Sequence, residues 1–116
     1  MTEDFSSTRA ELLRLRDQAR AQVAALDSDL RSVFEASRSS NADDEHDPEG
    51  STIAFERAQL AAVLDATRRR LADLDVALQR VEAGTYGVCE RCSRPIPAER
   101  LAARPSARTC VGCARG

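Results

Sequence analysis

The chain has 116 residues, 42% of them apolar, but only one Tyr, three Phe and no Trp, and it carries a net charge of −2. Ala and Leu dominate the apolar share, which suits helices and is too poor in aromatic side chains to fill a large globular core. No uncharged stretch is long enough to span a bilayer, so no membrane partner is expected.

Residues 1 to 7 are polar, and Met1, Thr2, Glu3 and Asp4 lack the basic-then-apolar order of a signal peptide. The expected location is therefore the cytoplasm, where reduced cysteines favour metal over disulfide. Thr8 and Glu11 fit a capping box, so a helix should be under way by about residue 8. Leu12, Leu15, Ala19, Val23, Leu26, Leu30 and Val33 follow at spacings of three and four, one narrow apolar stripe on a helix over about 8–37. Arg14, Arg16, Arg20, Asp27, Asp29 and Arg31 fall on the other faces and read as solvated charges.

Residues 38–50 hold no large apolar side chain and are expected to form a polar loop. Within it Asp43, Asp44, Glu45, Asp47 and Glu49 place five carboxylates in seven residues. Such a run is first of all a solvated turn whose acids complement a helix N-terminus. It lacks the alternating ligands and closing Glu of a calcium loop. His46 sits among these acids with no nucleophile beside it, and no catalytic residue is assigned anywhere in the chain. Asp47 and Pro48 form a good cap and first-turn pair, while Ser51 or Thr52 could start the helix instead.

The second helix, expected over about 51–83, shows the clearest period. Ile53, Arg57, Leu60, Leu64, Thr67, Leu71, Leu74, Leu78 and Val81 lie on an alternating four-three grid, with Arg57 and Thr67 as its polar members. Gly84 is placed to take the left-handed position that ends it. Two such stripes joined by a polar loop bury one another most simply as an antiparallel hairpin, each arm about 45 Å long. Intermolecular pairing would satisfy the same stripes, but the intramolecular hairpin and a monomer are preferred. The fold class is therefore all-α: a helical hairpin or coiled coil over 1–83 and a small four-cysteine zinc finger over 84–116.

That finger rests on Cys89 and Cys92, followed after seventeen residues by Cys110 and Cys113. Paired C-x-x-C turns at this separation are the zinc-ribbon arrangement, with four thiolates about 2.3 Å from one ion and no place left for water. One structural Zn2+ is expected. Disulfides or a redox C-x-x-C would need an oxidising compartment or a thioredoxin-like context, and the sequence offers neither. From Gly84 onward six Arg face Glu90 and Glu99, a balance of +4 that leaves −6 for residues 1–83. A chain so charged would be repelled by a duplex along most of its length. With only Tyr86 able to stack on bases, no direct sequence-specific DNA binding is expected. Arg91, Arg94 and Arg108 read instead as partners for the thiolate cluster or for an acidic protein surface.

The run Gly84, Thr85, Tyr86, Gly87, Val88, Cys89, Glu90, Arg91, Cys92, then Ile96, then Arg100 to Pro105, then Cys110 to Cys113 resembles the DksA/TraR family of bacterial transcription factors. The resemblance implies binding to RNA polymerase, with the coiled-coil tip inserted in the secondary channel and its carboxylates altering promoter complexes, often together with ppGpp. Asp43, Asp44, Glu45, Asp47 and Glu49 then become the partner-binding tip. Two departures stand out. Gly50 occupies the place of the second acid in the family's D-x-x-D arrangement. The chain also stops three residues after Cys113, without the C-terminal helix of longer members, which argues against a ppGpp response. A zinc-stabilised adaptor or a thiol-based redox sensor is the alternative reading.

Overall fold

The computed structural model describes residues 5–39 and 48–115, with the side chains of 37–39 and 48–50 outside that description. Four helices follow in chain order: α1, Ser6–Ser39; α2, Pro48–Ala83; α3, Ala98–Ala103; and α4, Val111–Ala114. Among the described residues there is no strand, only an isolated antiparallel bridge between Val88 and Pro95. The fold is all-α, a pair of long antiparallel helices with a small C-terminal four-cysteine finger. Among the described residues no helix is long and apolar enough to cross a membrane.

The long helices extend beyond their expected ends. Helix α1 starts at Ser6, where the Arg9 amide donates to the Phe5 carbonyl at 2.7 Å, so Thr8 lies inside the first turn and does not cap it. Glu11, expected to close a capping box, instead accepts from Arg14 at 3.0 and 2.6 Å. Helix α2 starts at Pro48, whose fixed φ and missing N–H suit a first helical position, and not at Ser51 or Thr52.

The chain forms two compact units, Met1–Gln18 with Arg70–Gly116, and Ala19–Arg69. In the first, the start of α1 meets the end of α2: Arg9 Nε donates to Glu82 Oε1 at 3.0 Å, and Leu12, Leu74 and Ala77 are buried. In the second, Asp27 of α1 lies 3.9 Å from Arg68 of α2, and Phe34 further along α1 stacks under Arg57, earlier in α2. In this second unit the α1 number rises as the α2 number falls, so the pairing is antiparallel.

The apolar stripes are the surfaces that face inward. Every grid position of α2 from Ile53 to Val81 is buried or half-buried, as are all seven stripe positions of α1 from Leu12 to Val33. The polar grid members fit for stated reasons. Arg57 places its guanidinium 5.1 Å from the Phe34 ring centroid, a cation–π contact that lets the aliphatic stem stay in the seam. Thr67 returns its hydroxyl to the Val63 carbonyl at 2.8 Å, so no hydroxyl is stranded. Asp27 is more than a solvated charge. It pairs with Arg31 at 3.0 Å and with Arg68 across the seam.

Candidate metal centre

Gly84 delivers the chain from α2 into the finger. Its φ of +76° is the left-handed conformation that glycine adopts without Cβ strain. Thr85 N–H donates to Arg80 O at 2.9 Å and Gly84 N–H to Val81 O at 3.2 Å, the two bonds of a Schellman motif. The Arg80 guanidinium reaches back to the carbonyls of Thr85 and Val88. The path out of the helix is therefore held from both sides.

The first cysteine turn is built by Cys89 N–H donating to Arg94 O at 2.8 Å and Ser93 N–H donating to Cys89 O at 2.9 Å. This tight turn requires a positive φ at Ser93, +64°, where a Cβ is strained. Ile96 N–H closes it against Gly87 O at 2.8 Å, and the Ile96 side chain is buried. The second turn caps α4: Cys110 is its N-cap residue and Ala114 N–H donates to Cys110 O at 2.9 Å. The two turns are stitched by Glu90 N–H to Arg108 O at 2.9 Å and by Arg91 Nη1 to Cys113 O at 2.9 Å.

The result brings Cys89, Cys92, Cys110 and Cys113 together with their sulfurs within 4.8 Å of one another. Cys92 Sγ and Cys110 Sγ are 3.9 Å apart. Four sulfurs about 2.3 Å from a tetrahedral ion would be separated by about 3.8 Å, so the cage has the size of a zinc site. Its chemistry agrees. Burial opposes ionisation of Cys89, but backbone hydrogen bonds from Cys92, Cys110 and Arg91 outweigh it and bring the thiol down to about 6. Hydrogen bonds with the Cys110 and Cys89 side chains push Cys113 up to about 12. Without a cation the four cannot all be thiolates. A divalent ion resolves that conflict, and with four sulfur ligands it would cross-link the two turns and leave no open position for catalysis.

The arginines around the cage have structural partners. Arg91 holds the Cys113 carbonyl, Arg100 donates to Thr109 O at 2.8 Å, and Arg108 pairs with Asp73 of α2 at 2.8 Å. The expected acidic partner of Arg108 is thus within the chain. The Arg80 and Asp73 contacts had no sequence signal. Tyr86 donates its hydroxyl to Pro105 O at 2.8 Å and receives the Phe5 ring edge-on, centroids 5.3 Å apart. A buried Tyr hydroxyl needs such a partner, and the Tyr in the lead-in to Cys89 was the available hint. The expected tip residues Asp43, Asp44, Glu45 and Asp47 lie outside the described residues, as does His46, and Glu49 is described only as part of the α2 backbone.

Geometry and donor set together define a C4-type zinc finger joined to paired helices. Residues 84–116 match the family model of the prokaryotic dksA/traR C4-type zinc finger. The chain is 40% identical over 72 residues to General stress protein 16O of Bacillus subtilis, covering 62% of this chain and 44% of that one. It is 44% identical over 52 residues to the RNA polymerase-binding transcription factor DksA of Caulobacter vibrioides, 45% of this chain and 37% of that one. The chain thus spans less than half the length of either relative. The solved structure of transcription factor DksA2 from Pseudomonas aeruginosa superposes with a TM-score of 0.76 at 26% identity, covering 93% of this chain and 78% of the other.

Proposed function

We propose that this chain is a non-enzymatic transcription regulator of the cytoplasm that binds RNA polymerase directly, one chain per enzyme. The observation that carries the reading is the likeness to DksA2 over 93% of the chain, helices included, joined to the family match of the finger. In this reading residues 1–83 are the hairpin, 84–116 the finger, and Cys89, Cys92, Cys110 and Cys113 hold a structural zinc. The acidic segment where α1 gives way to α2 enters the secondary channel, where Asp43, Asp44, Glu45, Asp47 and Glu49 present negative charge near the active centre. Charge placed in a confined, poorly solvated channel acts on the polymerase without covalent chemistry. With Gly50 in place of a second tip acid, the effect is carried by Asp47 and Glu49. No ppGpp dependence is part of the proposal.

Incubating the zinc-loaded chain with core polymerase tests it. Co-elution that a DksA displaces is the expected result, and no association at concentrations where that DksA binds would end the reading. Replacing Asp47 and Glu49 with Ala should preserve co-elution while removing the effect on transcription in vitro. An unchanged transcript pattern would take the role away from the loop.

A further inference from the structure

The finger has almost no apolar core of its own. Among its described residues only Tyr86, Cys89 and Ile96 are buried, and neither α3 nor α4 buries a side chain. Its one aromatic residue is Tyr86. A second ring reaches it from outside, because Phe5, the residue before α1, stands edge-on to Tyr86 with centroids 5.3 Å apart. Phe5 is half-buried there and lines two hollows, of about 450 and 710 Å³, that Tyr86, Ala98 and Leu101 line as well. Its carbonyl accepts from the Arg9 amide at 2.7 Å, the bond that opens α1. One residue therefore starts the first helix and rests on the finger.

The seat under Phe5 is assembled from separate stretches of the finger. Tyr86 precedes the first cysteine turn, while Ala98 and Leu101 belong to α3. Leu101 packs toward Gly87, where a Cβ would lie 3.5 Å from its Cδ1, and the Tyr86 hydroxyl donates to Pro105 O at 2.8 Å. Both α3 and Pro105 lie in the loop 93–109 between the two cysteine pairs. That loop is fixed at both ends when Cys89, Cys92, Cys110 and Cys113 share an ion, and without one its ends are free to part. We infer that Phe5 is a latch on the metal centre: it seats on Tyr86 and α3 when the four cysteines hold zinc, and leaves, with the first turn of α1, when they do not. Coupling of this kind is reciprocal, so the seated ring raises the cysteines' affinity for zinc by the same factor. Partial burial of one aromatic side chain makes that factor about tenfold. The inference does not rest on polymerase binding.

Chelator competition and amide exchange on the full chain test it. Phe5→Ala should lower zinc affinity by about tenfold. Arg9→Ala is the control, since it removes the 3.0 Å pair with Glu82 that ties the start of α1 to α2 and not to the finger, and it should leave zinc affinity unchanged. In the natural chain, withdrawing zinc should speed exchange of the Arg9 amide, which the Phe5 carbonyl accepts, by about tenfold. In Phe5→Ala the same amide should respond little to zinc, because its first turn has already lost the latch. Circular dichroism confirms that both variants keep their long helices, as expected for changes at the end of the chain. Zinc affinity untouched by Phe5→Ala, an equal loss in Arg9→Ala, or an Arg9 amide indifferent to zinc in the natural chain would each overturn the inference.

Discussion

The two compact units of this protein achieve definition by different means. In Ala19–Arg69 the pairing of helices rests on period: Leu64 and Ala19 are buried, and the remaining seam positions are half-buried contacts repeated along two helices. In the unit that holds the cysteines, irregular backbone is fixed by specific polar bonds, among them Tyr86 to Pro105, Arg108 to Asp73 and Arg91 to Cys113. It contains most of the buried side chains, Leu12, Leu74, Ala77, Tyr86, Cys89 and Ile96. A repeating seam tolerates the loss of one member, because its neighbours persist. A small irregular module does not, because each tie is made once and the metal joins them all.

Removing the metal should therefore break the comparison most sharply. Cys89→Ser, or chelation of the natural chain, should abolish ordered structure in 84–115 while most helical signal survives, read by zinc content and by amide exchange. Parallel loss of the α2 amides from 53 to 69 would show that the units are not distinct in this way. Zinc uptake also carries a proton signature. The folded-state value of about 12 at Cys113 leaves that thiol protonated at neutral pH, so binding must expel its proton. Cys89, lowered to about 6, is already largely a thiolate there. Its depressed value favours the folded, charged form above the unfolded thiol range, and that contribution is lost as pH falls through about 6. Affinity for zinc should fall steadily toward acid, measured by competition with a chromogenic chelator, and a flat profile between pH 8 and 5 would contradict the cage chemistry.

Smaller effects sharpen the contrast. Leu12→Ala and Leu74→Ala should each lower stability by about 3 kcal/mol, as large-to-small changes in closed sites do. Tyr86→Phe strands the Pro105 carbonyl and should lose about 1 kcal/mol with the helices unchanged. In the periodic unit, Arg57→Leu should be within about 1 kcal/mol of neutral, since an apolar residue completes the grid while the Phe34 contact is lost. Thermal melts of the zinc-loaded variants measure all four. If Arg57→Leu proves as damaging as Leu74→Ala, the seam is not the tolerant partner.

What could be read from the sequence follows the same division. Period reveals which side of each long helix is inward, and spacing reveals the four sulfurs, because both signals are local and repetitive. Gly84 was legible since only a left-handed residue ends a helix in that way. Helix α1 is under way by residue 8 as expected, but Thr8 and Glu11 only mimic a cap, whereas Phe5, just before the helix, is drawn to Tyr86, far along the chain. Asp27 looked like one of many exposed charges, and only the facing helix makes it a bridge. The contacts of Arg80, Arg91 and Arg108 have no sequence pattern at all, since arginine is the chain's sole cationic side chain and appears on every face.

The central claim is that the acidic segment from Asp43 to Glu49 is carried into RNA polymerase by a zinc-stabilised helical protein. A photo-crosslinking amino acid at Asp44, in the zinc-loaded chain bound to core polymerase, tests it most directly. The account predicts crosslinks to polymerase segments lining the secondary channel, suppressed by an excess of a DksA. Binding that persists with crosslinks only to the outer surface of the enzyme would contradict it.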